Sequence, residues 1–94
     1  MKTKTENKHF VYILECRDHT LYTGWTTDLT VRLSAHNDGA AGAKYTRTRR
    51  PVRLVYFEEF EDKGAALKRE RAIKKLTRRQ KLSLIETASG NTGD

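Results

Sequence analysis

The chain has a single cysteine, Cys16, so no internal disulfide can form, as expected of a reducing compartment. Cys16 follows an apolar run and reads as a small buried hydrophobe, not a nucleophile. One cysteine with the widely spaced His9, His19 and His36 matches no zinc-ligand pattern. No hydrophobic stretch is long enough for a signal peptide or a membrane span, so the protein is expected in the cytoplasm, with no membrane partner. There is no glycine-rich phosphate loop, no pair of carboxylates spaced for two metals, and no Gly-x-Ser-x-Gly elbow. Ninety-four residues leave no room for a second core.

Basic charge is abundant. Nineteen Lys and Arg stand against twelve Asp and Glu, for a net charge of +7, and fourteen of the nineteen fall between Lys44 and Lys81. So dense a block suggests an anionic polymer as partner, although a solvated surface that merely maintains solubility would look similar. Apolar residues make up 36% of the chain and occur in clear runs, so it is not disordered.

The apolar runs sketch a fold. Residues 10–14 (FVYIL) are apolar throughout and rich in aromatic and β-branched types, as in a strand buried on both faces. Arg17-Asp18-His19 break the pattern and Leu21-Tyr22-Thr23 resume it, which predicts a hairpin with a loop of about three residues. Thr27 or Asp28 can cap a helix that Asn37-Asp38-Gly39 stop. Residues 40–50 show no period and read as a loop, after which residues 52–57 read as a third strand opened by Pro51. Asp62 can cap a second helix running to about Leu76. Thr77 and Gln80 have capping-box spacing for a third, ending near Glu86. The order β-β-α-β-α-α predicts an α/β (α+β) fold, a small three-stranded, mostly antiparallel sheet flanked by helices. Residues 10–86 are expected to form the domain, between a flexible tail at 1–9 and a disordered one at 87–94.

Several residues sit where packing alone would not put them. Leu29, Arg32, Leu33 and His36 share one helical stripe, so a guanidinium and an imidazole occupy a face that should carry Leu or Ala. Ala66, Leu67, Glu70 and Ile73 form the stripe of the second helix, with a carboxylate in the middle. An inward carboxylate is costly unless paired or bound to a metal, and an ion pair with Lys74 at i+4 would also account for it. In a hairpin with a three-residue loop, Tyr12 faces Gly24 and Leu14 faces Tyr22, which makes the two tyrosines diagonal neighbours on one face. Strand tyrosines are usually core. Here they join an arginine, a histidine and a glutamate that can reach the same cleft.

On these residues the chain resembles the GIY-YIG nuclease superfamily, over roughly residues 8–81 and most closely its small stand-alone bacterial members. Val11-Tyr12-Ile13 and Tyr22-Thr23-Gly24 stand where the family has its two tripeptides, about ten residues apart. Thr26, Leu29, Arg32 and Leu33 resemble the stretch leading to the family's essential arginine, and His36 its frequent histidine. Ala66, Glu70, Ile73 and Lys74 resemble the segment with the catalytic glutamate. Val11 and Ile13 depart from the first tripeptide's pattern and Thr23 from the second's. Both tyrosines and Gly24 remain. Gln80 is the amide nearest the family's late asparagine, and that role is not carried over to it.

The resemblance implies divalent-metal-dependent hydrolysis of phosphodiester bonds in nucleic acid, DNA more than RNA, by an endonuclease that is a monomer or weak homo-oligomer. Glu70 would hold one Mg²⁺ or Mn²⁺. Arg32 would hold the non-bridging phosphate oxygens. Tyr12 is the family's candidate base, and His36 is its proton acceptor or an alternative base. Tyr22 would position water and phosphate. Lys44, Tyr45, Arg47, Arg49, Arg50, Lys74 and Lys75 would hold the strand, with Tyr45 able to stack on a base. A nucleic-acid-binding module with little turnover and a partner-dependent subunit are the competing readings.

Overall fold

The computed structural model describes residues 8–38 and 49–90. Six elements follow in chain order: β1 (His9–Glu15), β2 (Leu21–Thr26), α1 (Leu29–Asp38), β3 (Arg53–Phe60), α2 (Lys63–Lys74) and α3 (Arg78–Gly90). The strands form one sheet in the order β2-β1-β3, antiparallel at both junctions. The α+β architecture expected above is therefore present, with β1 central.

Turn and cap chemistry places the element ends. Cys16 N–H donates to the Thr20 carbonyl at 2.9 Å, which closes the hairpin around Arg17-Asp18-His19. His19 carries the left-handed backbone this loop needs, at φ 69°. Asp18 Oδ1 steadies it by accepting from Thr20 N–H at 3.2 Å and Thr20 Oγ1–H at 2.7 Å. Asp28 caps α1 by accepting from Val31 N–H at 3.0 Å, and Asp62 caps α2 by accepting from Ala65 N–H at 2.8 Å. The capping box at α3 forms in both directions: Thr77 Oγ1 accepts from Gln80 N–H at 3.1 Å, and Gln80 Oε1 from Thr77 N–H at 2.9 Å. Helix α3 does not stop near Glu86. It continues to Gly90, because residues 87–89 are small and tolerated in a helix and glycine is the first strong breaker. Residues 91–94 and 1–7 lie outside the described residues.

Strand β1 is buried on both faces and divides the core in two. Val11 and Ile13, fully buried, meet Ala66 and Ile73 of α2, with Leu84 and Ile85 of α3 packed behind. Tyr12, Leu14 and Cys16 point the other way, toward Leu29 and Leu33 of α1 and Val52 before β3. Burying an aliphatic side chain of this size is worth about 1.5–3 kcal/mol. The alternation of β1 thus assigns α2 and α3 to one face and α1 to the other. Among the described residues, no helix is long and apolar enough to cross a membrane.

Candidate active site

The α1 face of the sheet contains more than hydrocarbon. Tyr12 is 2% exposed and His36 only 1%. Two such polar groups would each cost free energy if left unpaired. The Tyr12 hydroxyl lies 3.1 Å from His36 Nε2, and Arg32 Nε–H donates to the same hydroxyl at 3.4 Å. The stripe of α1 brings this about, since Arg32 and His36 are one turn apart and project with Leu29 and Leu33 onto the sheet. Tyr22 closes the group from β2, its ring centroid 5.1 Å from that of His36 and 6.4 Å from that of Tyr12.

Gly24 makes room for this arrangement. It is the β2 partner of Tyr12. A Cβ at Gly24 would lie 2.5 Å from the Tyr12 hydroxyl oxygen and 2.7 Å from Cζ. The phenol therefore lies across a position that no other residue could occupy without moving it.

The protonation states follow from the surroundings. Burial raises the Tyr12 pKa above that of an ordinary phenol, the more so with the charge of Glu70 nearby, and the hydrogen bond from Arg32 only partly offsets this. His36 is pushed down to about 4, first by burial and then by the positive charges of Arg32 and Arg50. At neutral pH the phenol is protonated and the imidazole neutral. The arrangement that uses every group has Tyr12 O–H donating to His36 Nε2 while its oxygen accepts from Arg32, which places the imidazole proton on Nδ1.

A clamp fixes the end of α1 that carries His36. Arg50 Nε–H donates to the His36 carbonyl at 2.8 Å, satisfying an acceptor in the last turn. The Asn37 side chain makes two bonds to Val52, donating Nδ2–H to its carbonyl at 3.1 Å and accepting its N–H at 2.8 Å. The sequence offered Asn37 only as a helix stop, and no local signal pairs it with a residue fifteen positions on.

The expected strand-holding residues fall into three groups. Lys44, Tyr45 and Arg47 lie outside the described residues. Arg49 and Arg50 have partners within the fold, Arg49 Nε with Asp18 Oδ2 at 3.2 Å and Arg50 with His36. Lys74 and Lys75 are exposed at the end of α2.

Glu70 stands on α2, with a side chain 18% exposed, and pairs with Lys74 Nζ at 3.2 Å. The ion pair anticipated from the i, i+4 spacing is thus formed, and the carboxylate is also near enough to Tyr12 to raise its pKa. As a donor set for a cation, this is one carboxylate. Among the described residues no three His, Cys, Asp or Glu converge on a point. That fits a hydrated Mg²⁺, which takes one or two carboxylates and keeps most of its waters, and does not fit a closed protein cage.

The model of the GIY-YIG catalytic domain matches residues 8–83. The chain belongs to the GIY-YIG family. It is 62% identical over 81 residues to a UPF0213 protein of Clostridium perfringens, covering 86% of each chain. A UPF0213 protein of Syntrophus aciditrophicus is 55% identical over 80 residues, or 85% of this chain and 92% of that one. The solution NMR structure of a UPF0213 protein from Bacillus halodurans superposes with a TM-score of 0.59 at 47% identity, covering 88% of this chain and 87% of that chain. Both relatives and the solved structure carry the name UPF0213.

Proposed function

We propose that the protein is a divalent-metal-dependent endonuclease that hydrolyses phosphodiester bonds in nucleic acid, DNA more than RNA. One observation carries the reading: a buried tyrosine is hydrogen-bonded both to a neutral histidine and to an arginine, over a glycine that leaves space for nothing else. A packing role alone gives no reason to bury a phenol and an imidazole against a half-buried guanidinium and a second phenol when leucines would fill the volume at lower cost.

The residues divide the work as follows. Arg32 neutralises the non-bridging oxygens of the scissile phosphate, where charge grows in the transition state. Tyr12 receives the proton of the attacking water as its own proton passes to His36 Nε2, so the phenol need not ionise beforehand. His36 is a weak acceptor while Arg32 and Arg50 act on it undiminished. A bound phosphate would compensate those charges and make it a stronger one. Tyr22 orients water and phosphate. Glu70 would hold the Mg²⁺ or Mn²⁺, which when bound supplies Lewis-acid stabilisation of the leaving oxygen. Lys74 and Lys75, exposed at the C-terminal end of α2, would meet the strand, and Lys44, Tyr45 and Arg47 are proposed to join them. A cytoplasmic location and a monomeric or weakly associating state belong to the same reading.

The second reading is a nucleic-acid-binding module with little turnover. What favours it is the resting state of the site, with Tyr12 above and His36 well below the pKa of a base poised at neutral pH. Glu70→Gln separates the two, because the amide keeps the shape and loses the charge a cation needs. On the nuclease reading, purified wild type nicks nucleic acid in Mg²⁺, while Glu70→Gln cuts nothing and still binds close to wild type. A wild type that binds but does not cut under any divalent cation establishes the binding module instead.

A further inference from the structure

The sheet face that carries Tyr12 is only partly covered. Across β1, Tyr12 is flanked by Gly24 on β2 and by Phe57 on β3. The phenol leans over Gly24, with its hydroxyl 2.5 Å from where a Cβ would stand, and so away from Phe57. Helix α1 covers the end of the face that holds Leu14, Tyr22 and Leu54. Phe57 is left 50% exposed, among the most exposed large apolar side chains described. Phe10, the next residue on this face of β1, stands edge-on to it with ring centroids 6.1 Å apart. A shallow trough of about 290 Å³ opens beside it along the free edge of β3, lined by Leu54, Val55, Tyr56, Phe57 and Ala88.

An isolated exposed phenylalanine needs no explanation. This one has a ring buttressed by a second aromatic, and it sits one strand spacing, about 4.8 Å, from the candidate proton-transfer residue. Phe57 is the cross-strand neighbour of Tyr12, and Arg32 bonds the Tyr12 hydroxyl, so a nucleotide with its phosphate at Arg32 has this ring on the same side of the sheet to receive its base. We propose that Phe57, backed by Phe10, is a stacking platform for an unpaired nucleobase next to the scissile phosphate. The preferred substrate is then a single-stranded or locally opened nucleic acid. A base within a duplex is already stacked on its neighbours and cannot lie on a side chain without being extruded, whereas a base in a single strand offers a free π-face to an aromatic residue. The platform rests on the nuclease reading only in placing the phosphate at Arg32.

Binding is measured with the full chain in a Glu70→Gln background, so that no cutting intervenes. The probes are a short single-stranded oligodeoxynucleotide and the same sequence as a blunt duplex. Removing the ring by Phe57→Ala is expected to weaken single-strand binding roughly 5- to 100-fold, the usual range for one stacked base. Duplex binding should stay within about twofold, and Phe57→Trp should restore single-strand affinity. Equal losses on both probes, or none on either, overturn the proposal. So does a dimer in light scattering that Phe57→Ala dissolves while single-strand affinity is unchanged, since the ring then serves a second copy. Cleavage by the chain with Glu70 intact is scored separately. Phe57-dependent single-strand binding without cutting keeps the platform and removes the nuclease reading.

Discussion

The two faces of β1 are built from alternate residues of one short strand, and they do different things. Val11 and Ile13 meet Ala66 and Ile73 of α2, hydrocarbon against hydrocarbon. Tyr12, between them in sequence, meets Arg32 and His36 in a polar network in which the phenol and the imidazole are just as deeply buried. On the first face burial is the whole contribution. On the second it imposes conditions. Every polar atom needs a partner, and the same desolvation that makes the network costly holds the phenol protonated and the imidazole neutral. One strand can thus bury hydrocarbon at its odd positions and carry a polar network at its even ones.

Substitutions at neighbouring positions should pull the two roles apart, and the largest difference is expected between Tyr12 and Ile13. Tyr12→Phe keeps the ring and removes one hydroxyl, so stability should fall by about 0.5–1.5 kcal/mol. The single-turnover cleavage rate should fall by about 10²–10⁴, the range of general acid–base assistance. Ile13→Ala should do the reverse, costing about 2–5 kcal/mol in denaturant unfolding while the folded fraction cuts at close to the wild-type rate. If Tyr12→Phe cuts at the wild-type rate, the hydroxyl has no part in proton transfer and the two faces differ only in polarity.

Gly24→Ala tests the same boundary from β2. The added methyl would lie against the Tyr12 oxygen and carbon, so the phenol must shift away from His36. A stability loss of about 1–3 kcal/mol is expected from overpacking, with a rate loss approaching that of Tyr12→Phe. Wild-type activity in Gly24→Ala would mean that the close contact is incidental.

The pH dependence of folding tests the polar face without reference to cleavage. His36 has a folded pKa of about 4, below its ordinary value near 6.5. Between these limits the unfolded chain takes up a proton that the folded chain refuses. Protonation therefore favours unfolding, and stability should decline as pH falls from about 6.5 toward 4. Chemical unfolding of wild type and His36→Gln across that window measures it. The Gln variant should be less stable at pH 7 and should show a shallower decline, and an equal decline in both would assign the dependence to other groups.

How much of this was legible in the sequence varied with the distance over which each feature is decided. The three caps, at Asp28, Asp62 and Thr77 with Gln80, are contacts within three residues and were readable as motifs. The hairpin register follows from a short loop between two runs, and it brought Tyr12 opposite Gly24 as expected. Helical spacing grouped Arg32 with His36. Where a local rule had little contrast it misled, as at the end of α3, where small polar residues suit a helix about as well as a tail. Arg49 and Arg50, expected from the sequence to hold the strand, have partners within the fold that no local pattern shows.

By itself, then, the sequence determined the strands, the caps, the pairing of the hairpin and the order of the candidate site residues, because each depends on neighbours a few positions apart. Only the tertiary structure decided that the Tyr12 hydroxyl meets a histidine twenty-four residues away, that Asn37 clasps Val52, and that Phe57 is left uncovered beside the site. These depend on which face of the sheet each helix covers. The choice is made by the packing of the whole core, so no single stretch of the chain encodes it.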